Sequence, residues 1–188
     1  MNKEARLARP TGAPRQVLLI GAVITLFGLS LHAQDVRIRV LNGRNGRPIT
    51  NECVNVSLGS WHGGDLIAPT NADGVVVLHF GNGQVSAEGA SPHACNGTAS
   101  LGPKLVPKGV KTIAITSDDY VDCQEWARVV PGESPQEALN RAPSYPISEI
   151  VQSGLAAGNR CGKSRAEAKP GELIFFVRPR GFLERMRE

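Results

Sequence analysis

The chain reads as mainly β, an antiparallel β-sandwich of the extracellular type. Three observations predict it. Residues 36–80 alternate apolar and polar side chains in short runs divided by Asn-Gly and Asp-Gly turns. Beyond residue 33 the chain is rich in valine, isoleucine, glycine and proline and poor in aromatics, which favours short strands and turns over long helices. All four cysteines, Cys53, Cys95, Cys123 and Cys161, also lie beyond residue 33.

The first element is a leader. Lys3, Arg6, Arg9 and Arg15 charge the start, Val17 to Leu31 is an uncharged apolar run, and Ala33 offers a small residue at a cut site. That arrangement predicts a secretory signal peptide over residues 1–33, cut after Ala33. The run falls short of the roughly 20 residues that span a bilayer comfortably. An uncleaved N-terminal anchor is the other reading. The expected location is therefore secreted or periplasmic, with a membrane contact only through an uncleaved leader.

Charge follows from the leader. The chain carries 21 Lys+Arg against 17 Asp+Glu, a net of +4. Four of the bases and one acid (Glu4) precede residue 34, so the exported part is close to neutral at +1. Nucleic-acid binding, which needs a clustered basic surface, is not expected. About 155 residues remain after cleavage, enough for one domain with a modest core.

Val36, Ile38 and Val40 alternate with Arg37 and Arg39, a strand with one charged face. Asn42-Gly43 and Asn45-Gly46 then turn the chain, and Pro48 re-enters an extended segment. Val54, Val56 and Leu58 form the core face of a second strand, leaving Cys53 on the opposite face. Gly59 to Asp65 is a loop, and Asn71 to Gly74 a turn feeding a strand at Val75 to Phe80. Gly81-Asn82-Gly83 leads into Gln84 to Ala87, residues 91–107 are irregular, and Lys111 to Thr116 is the next strand. Composition changes after Ser117. Ser134-Pro135-Gln136-Glu137 has the form of a helix start, with serine cap and answering glutamate, ending near Asn140. Ile147, Ile150, Val151 and Leu155 follow at helical spacing with Gly154 as a stop. Leu173 to Val177 is a strongly apolar β-type run that joins or covers a sheet, and residues 182–188 fray. The expected organisation is thus a sandwich over residues 34–117 and a C-terminal extension over residues 118–188, packed on it, with short helices and one further strand.

An even cysteine count in an exported chain predicts two disulfides. Of the three pairings, Cys53–Cys95 with Cys123–Cys161 keeps each bridge within one half of the chain. Each would contribute about 3–4 kcal/mol on the chain-entropy account. Zinc is disfavoured, because no two cysteines have the spacing of a zinc knuckle.

Residues 36–116 resemble the carboxypeptidase regulatory-like domain, a transthyretin-like (prealbumin-type) β-sandwich. That family runs strand, Gly-x-Pro turn, apolar strand, Thr-x-x-Asp-Gly turn, strand. The matching residues are Val36 to Val40, Gly46-Arg47-Pro48, Val54 to Leu58, Thr70-Asn71-Ala72-Asp73-Gly74 and Val75 to Phe80, with Gln84 to Gly89 a loose match to a later strand. The resemblance implies an Ig-like or prealbumin-like antiparallel sandwich and a non-catalytic module. The second half, through Ile147 to Ile150, Gly158 to Lys163 and Pro170 to Glu172, is similar to the tail of small exported bacterial proteins, which implies no activity.

Trp61 and His62, in a glycine-rich loop, are the foremost ligand-contact candidates, since an exposed indole can stack on a sugar or a partner. The competing reading folds Trp61 back as a lid on the sandwich. Trp126 is a second possible platform. Asn71, Asp73, Asp118, Asp119 and Asp122 have the oxygen chemistry of a calcium site but match no EF-hand spacing, and Asp73 suits a turn. His62, His79 and His93 have no recognisable nucleophile partner, no Gly-x-Ser-x-Gly occurs, and Asp118-Asp119 would point to opposite strand faces. The expected function is binding or structural, with a protein or glycan partner at the cell envelope or outside the cell. A carbohydrate-binding module using Trp61 is the alternative, and no enzyme activity, cofactor or metal is expected.

Overall fold

The computed structural model describes residues 34–59, 65–91, 95, 98–124, 132, 134, 137 and 141–181. Eleven strands and one helix occur among them: β1 (Gln34–Asn42), β2 (Cys53–Leu58), β3 (Leu66–Pro69), β4 (Val75–Gly81), β5 (Gln84–Glu88), β6 (Lys104–Leu105), β7 (Thr112–Ser117), β8 (Tyr120–Asp122), β9 (Ser144–Pro146), α1 (Ile147–Ser153), β10 (Leu155–Ala156) and β11 (Glu172–Pro179). They form a seven-stranded sheet in the order β10-β11-β1-β4-β5-β6, with β8 also on β11, and a four-stranded sheet in the order β3-β2-β7-β9.

The period-two pattern explains the layering. Val36, Ile38 and Val40 of β1, Val76 and Leu78 of β4, and Leu173, Phe175 and Val177 of β11 meet Val54 and Val56 of β2 and Ile113 and Ile115 of β7 in one core. Arg37 points the other way and is exposed. Cys53 lies on the face opposite Val54 and is buried by its bond to Cys95. The second disulfide joins Cys123 to Cys161.

The turn before β4 packs on the chain just after β1. Asn71 Oδ1 accepts the backbone N–H groups of Asp73 (2.9 Å) and Val75 (3.0 Å), a side-chain-closed turn. It leaves Gly74 at φ 71°, and a Cβ there would fall 2.9 Å from Pro48 Cβ and 2.9 Å from the Val40 carbonyl. Thr70 is fully buried; its hydroxyl donates to the Ile49 carbonyl (2.7 Å) and accepts the Glu52 N–H (3.0 Å).

The larger sheet departs from the expected antiparallel pattern. β11 pairs parallel with β1, Arg37 opposite Glu172 through Asn42 opposite Val177, and β10 pairs parallel with β11. The segment 118–188 is therefore not simply laid on a finished sandwich. It supplies β8, β10 and β11 to one sheet and β9 to the other. The reason lies in β11 itself. Leu173 to Val177 is buried on both faces, and a continuous apolar run suits an interior strand. Leu173, Phe175 and Val177 face the main core, while Ile174 and Phe176 join Leu41 and Cys123 in a second cluster on the outer face, covered by Cys161, Ala166 and Ala168.

The helix forms where the spacing predicts. Ile150 is its buried residue, and Gly154 ends it at φ 76°, donating to the Ile150 carbonyl at 3.0 Å. Leu155 lies past that stop, in β10 rather than in the helix. The short strands β3, β6, β8 and β9 were not expected. Of the predicted 134–140 helix, Ser134 and Glu137 are described. Glu137 Oε2 accepts the Ser134 N–H and hydroxyl, each at 2.8 Å, and the Glu137 N–H reaches Ser134 Oγ at 3.3 Å. This is the reciprocal capping arrangement that the sequence spells.

Candidate functional site

Trp61, His62, His93 and Trp126 lie outside the described residues. The structure brings three other groups of polar residues together.

The first is a basic groove on the outer face of the larger sheet. It begins with the turn after β1. Asn42 Oδ1 accepts the Arg44 N–H (2.9 Å), Asn45 Oδ1 accepts the Arg47 N–H (3.0 Å), and the Gly46 N–H donates to the Asn42 carbonyl (2.7 Å). A segment more than a hundred residues later docks on this turn. Asn159 Nδ2 donates to the carbonyls of Gly43 and Ser164, both at 2.8 Å, and Asn159 Oδ1 accepts the Cys161 N–H at 3.1 Å. The Arg160 N–H donates to the Cys123 carbonyl (2.8 Å), and the Cys123–Cys161 bridge locks the segment to β8 and β11. Small residues permit the approach. A Cβ on Gly162 would fall 2.8 Å from Arg44 Cα, and one on Gly46 would lie 3.6 Å from Ser164 Oγ.

The resulting groove has a volume of about 580 Å³. Ala156, Ala157 and Phe176 line it together with Asn159 and residues 162–166. Lys163 and Arg165 stand in its wall, and Arg44, Arg47 and Arg160 are exposed on the segments that meet there. Each of these parts was visible in sequence only as turn chemistry or as a tail motif. Their meeting depends on β11 lying beside β1, which the sequence did not reveal.

The second group is a cleft of about 380 Å³ lined by Glu52, Asp119, Tyr120 and Arg180, among others. Glu52 is 1% exposed, and burial above all raises its pKa, with donors from Ser117 and Asp119 acting against the rise. Its Oε1 accepts the Ser117 hydroxyl and the Asp119 N–H (3.1 Å), and Ser117 Oγ accepts the Tyr120 N–H (3.3 Å). Glu52 thus folds the β7–β8 turn. Behind it, burial pushes the Asp122 carboxyl well above its ordinary range, and the charge of Glu52 adds to the rise. Asp122 Oδ1 and the Tyr145 hydroxyl are buried with no hydrogen-bond partner among the described residues. Burial and the Asp122 charge push the Tyr145 phenol upward too.

The third is a surface relay across three strands. His79 Nδ1 lies 2.8 Å from Asp35 Oδ1, and Nε2 lies 3.1 Å from Glu88 Oε2. These two carboxylates, Asp35 foremost, raise the imidazole pKa. With each nitrogen facing a different strand, the trio holds a proton rather than converging on a nucleophile.

The residues with the oxygen chemistry of a calcium site are scattered. Asn71 and Asp73 close a turn, Asp118 accepts from Asn55 Nδ2, and Asp122 is in the interior. Among the described residues no three His, Cys, Asp or Glu side chains are grouped to hold a metal ion. None of the helices described is long and apolar enough to cross a membrane.

Fold and groove define a mainly β, two-sheet protein with two disulfides and a cross-linked basic rim. No family model, curated protein or solved structure matches the chain.

Proposed function

We propose that the chain is an exported, non-catalytic binding module that engages a protein or glycan at the cell envelope or outside the cell. The groove lined by Phe176 and by residues between 156 and 166, the segment docked on the turn after β1, is its contact surface. The observation that carries this reading is the locking of that surface. One disulfide and three hydrogen bonds of Asn159 hold it rigid before any ligand arrives, and a surface held in its bound form loses less entropy on binding.

Export is supported by two disulfides, cross-links that persist in oxidising compartments. A prealbumin-like origin is supported by the Thr70 to Gly74 turn packed on Pro48.

Ala156→Trp tests the site, because Ala156 is exposed in an edge strand and its replacement fills the groove without altering charge. Wild-type protein should sediment with an envelope fraction of its own cell, and the variant should not, at an unchanged unfolding midpoint. Undiminished sedimentation of the variant would refute the site. A hydrolytic turnover by pure protein that one substitution abolishes would refute the non-catalytic reading.

A further inference from the structure

We infer that the ligand of this groove is an acidic polysaccharide, recognised through a row of carboxylates on successive sugars. The inference rests on the groove being the contact surface, and it adds the chemistry of what binds there.

Charge is the first ground. The exported part of the chain is nearly neutral, yet Arg44, Arg47, Arg160, Lys163 and Arg165 are gathered on two segments that touch, with Glu167 as the acid between residues 157 and 169. Two cations elsewhere on the same sheet do have carboxylate partners. Arg39 Nε lies 3.0 Å from Glu172 Oε1, and His79 is flanked by two carboxylates. Arg44, Arg47, Lys163 and Arg165 form no ion pair with a carboxylate among the described residues. Such a surface attracts anions and speeds their arrival.

The spent hydrogen bonds are the second ground. Both Asn159 Nδ2 hydrogens go to carbonyls of the protein, and its Oδ1 takes the Cys161 N–H. The floor beneath is alanine and a Phe176 that is 2% exposed. With Asn159 spent, Ser164 is the uncharged polar side chain left in the lining, beside the two cations Lys163 and Arg165, so charge readout is better served than readout of a neutral sugar. Guanidinium groups pair with carboxylates through two parallel hydrogen bonds.

Shape is the third. Lys163 and Arg165 stand in the wall of the groove, and Arg44, Arg47 and Arg160 are exposed on the two segments that meet beside it, a spread of cations that suits a repeating anion better than a single one. A small-residue floor accepts a sugar ring lying flat. Single-stranded nucleic acid would want exposed aromatic faces for its bases, and Phe176 is covered.

The test measures binding of the full exported chain to immobilised polygalacturonate, with neutral dextran and vesicles of anionic phospholipid as comparisons. Polygalacturonate should be retained, dextran should not, and raising NaCl from about 0.05 to 0.5 M should release the protein by screening. Lys163→Ala/Arg165→Ala should weaken retention about tenfold, and Lys104→Ala/Lys108→Ala, in β6 and the turn after it, should leave it unchanged. Equal binding of dextran, equal loss in both double variants, or capture by the vesicles alone would overturn the inference. The envelope sedimentation assay separates the two readings. If Ala156→Trp abolishes it and Lys163→Ala/Arg165→Ala does not, the ligand class is wrong and the contact surface stands. If neither substitution alters it, both fall.

Discussion

Gly43 is where the groove is held together, and Gly43→Ala should loosen it measurably. A methyl group there would lie 2.5 Å from Asn159 Oδ1, 2.8 Å from Cys123 Sγ and 3.0 Å from Cys161 Cβ. Ordinary contacts settle at about 3.5–4.0 Å, so all three neighbours must retreat by about 0.5–1.5 Å. Overpacking of this kind costs about 1–3 kcal/mol. The Asn159 bond to the Gly43 carbonyl, 2.8 Å long, is strained by the same movement, forfeiting about 1 kcal/mol more. The expected loss of about 2–4 kcal/mol corresponds to a fall of about 5–15 °C in Tm for a domain of this size. Circular-dichroism melts and urea titrations measure it. Repeating them in a Cys123→Ala/Cys161→Ala background makes a double-mutant cycle. Without the cross-link the segment can back away, so the penalty should shrink by about 1 kcal/mol. A Gly43→Ala protein within about 0.5 kcal/mol of wild type, or an equal penalty in both backgrounds, would refute the reasoning.

Three other outcomes follow from the packing and the titrating groups. Phe175→Ala removes a fully buried ring from the main core and should cost about 3–5 kcal/mol in urea unfolding; Leu105→Ala, at a side chain 77% exposed, should cost almost nothing, and similar losses in the two would contradict the layering. Asp122 binds its proton more tightly when folded, because burial raises its pKa. Its contribution to stability is full below the unfolded pKa and is lost as pH rises through the folded value. Asp122→Asn should therefore flatten the decline in Tm above about pH 4, leaving a smaller slope from Glu52, which is shifted the same way; an unchanged slope would exclude Asp122 as its source. His79 should titrate above its ordinary value by NMR, and Asp35→Asn should bring it back down. Its small surface contribution to stability is present below pH 6.5 and lost as pH rises through the folded value. A wild-type His79 titrating at or below 6.5 would count against the relay.

What could be read in advance was what is local. Val36 to Val40 and Val75 to Phe80 carry their strand period and their turns side by side, so burial of Val36, Ile38, Val76 and Leu78 needs no knowledge of the rest of the chain. The disulfide partners were also accessible, from the simple preference for bridges within each half. Residues 66–69 hid because Pro69 and a four-residue length resemble loop, yet Asn55 pairs with Ile67 in the smaller sheet. The parallel pairing of β1 with β11 was invisible for a different reason. Nothing in Leu173 to Val177 names its neighbour, and an apolar run says only that both faces are covered. The groove inherits that difficulty. Asn42 to Arg47 reads as turn chemistry and Asn159 to Lys163 as a tail motif, and only the long-range pairing makes one surface of them.

The parallel pair also fixes an order of events. β11 is the last of the described strands, and it occupies an interior place beside the first. Until it arrives, β1 has a bare edge along Arg37 to Asn42, and Ile38 lacks its strand neighbour Leu173. Local hairpins such as β4–β5 can close early, but the sheet cannot be sealed from its own beginning. Pairings this distant in the chain are slow to form and leave an edge open to other chains meanwhile. The protein is thus a vessel whose last plank fits beside its first, and every intermediate on the way is open at the same seam.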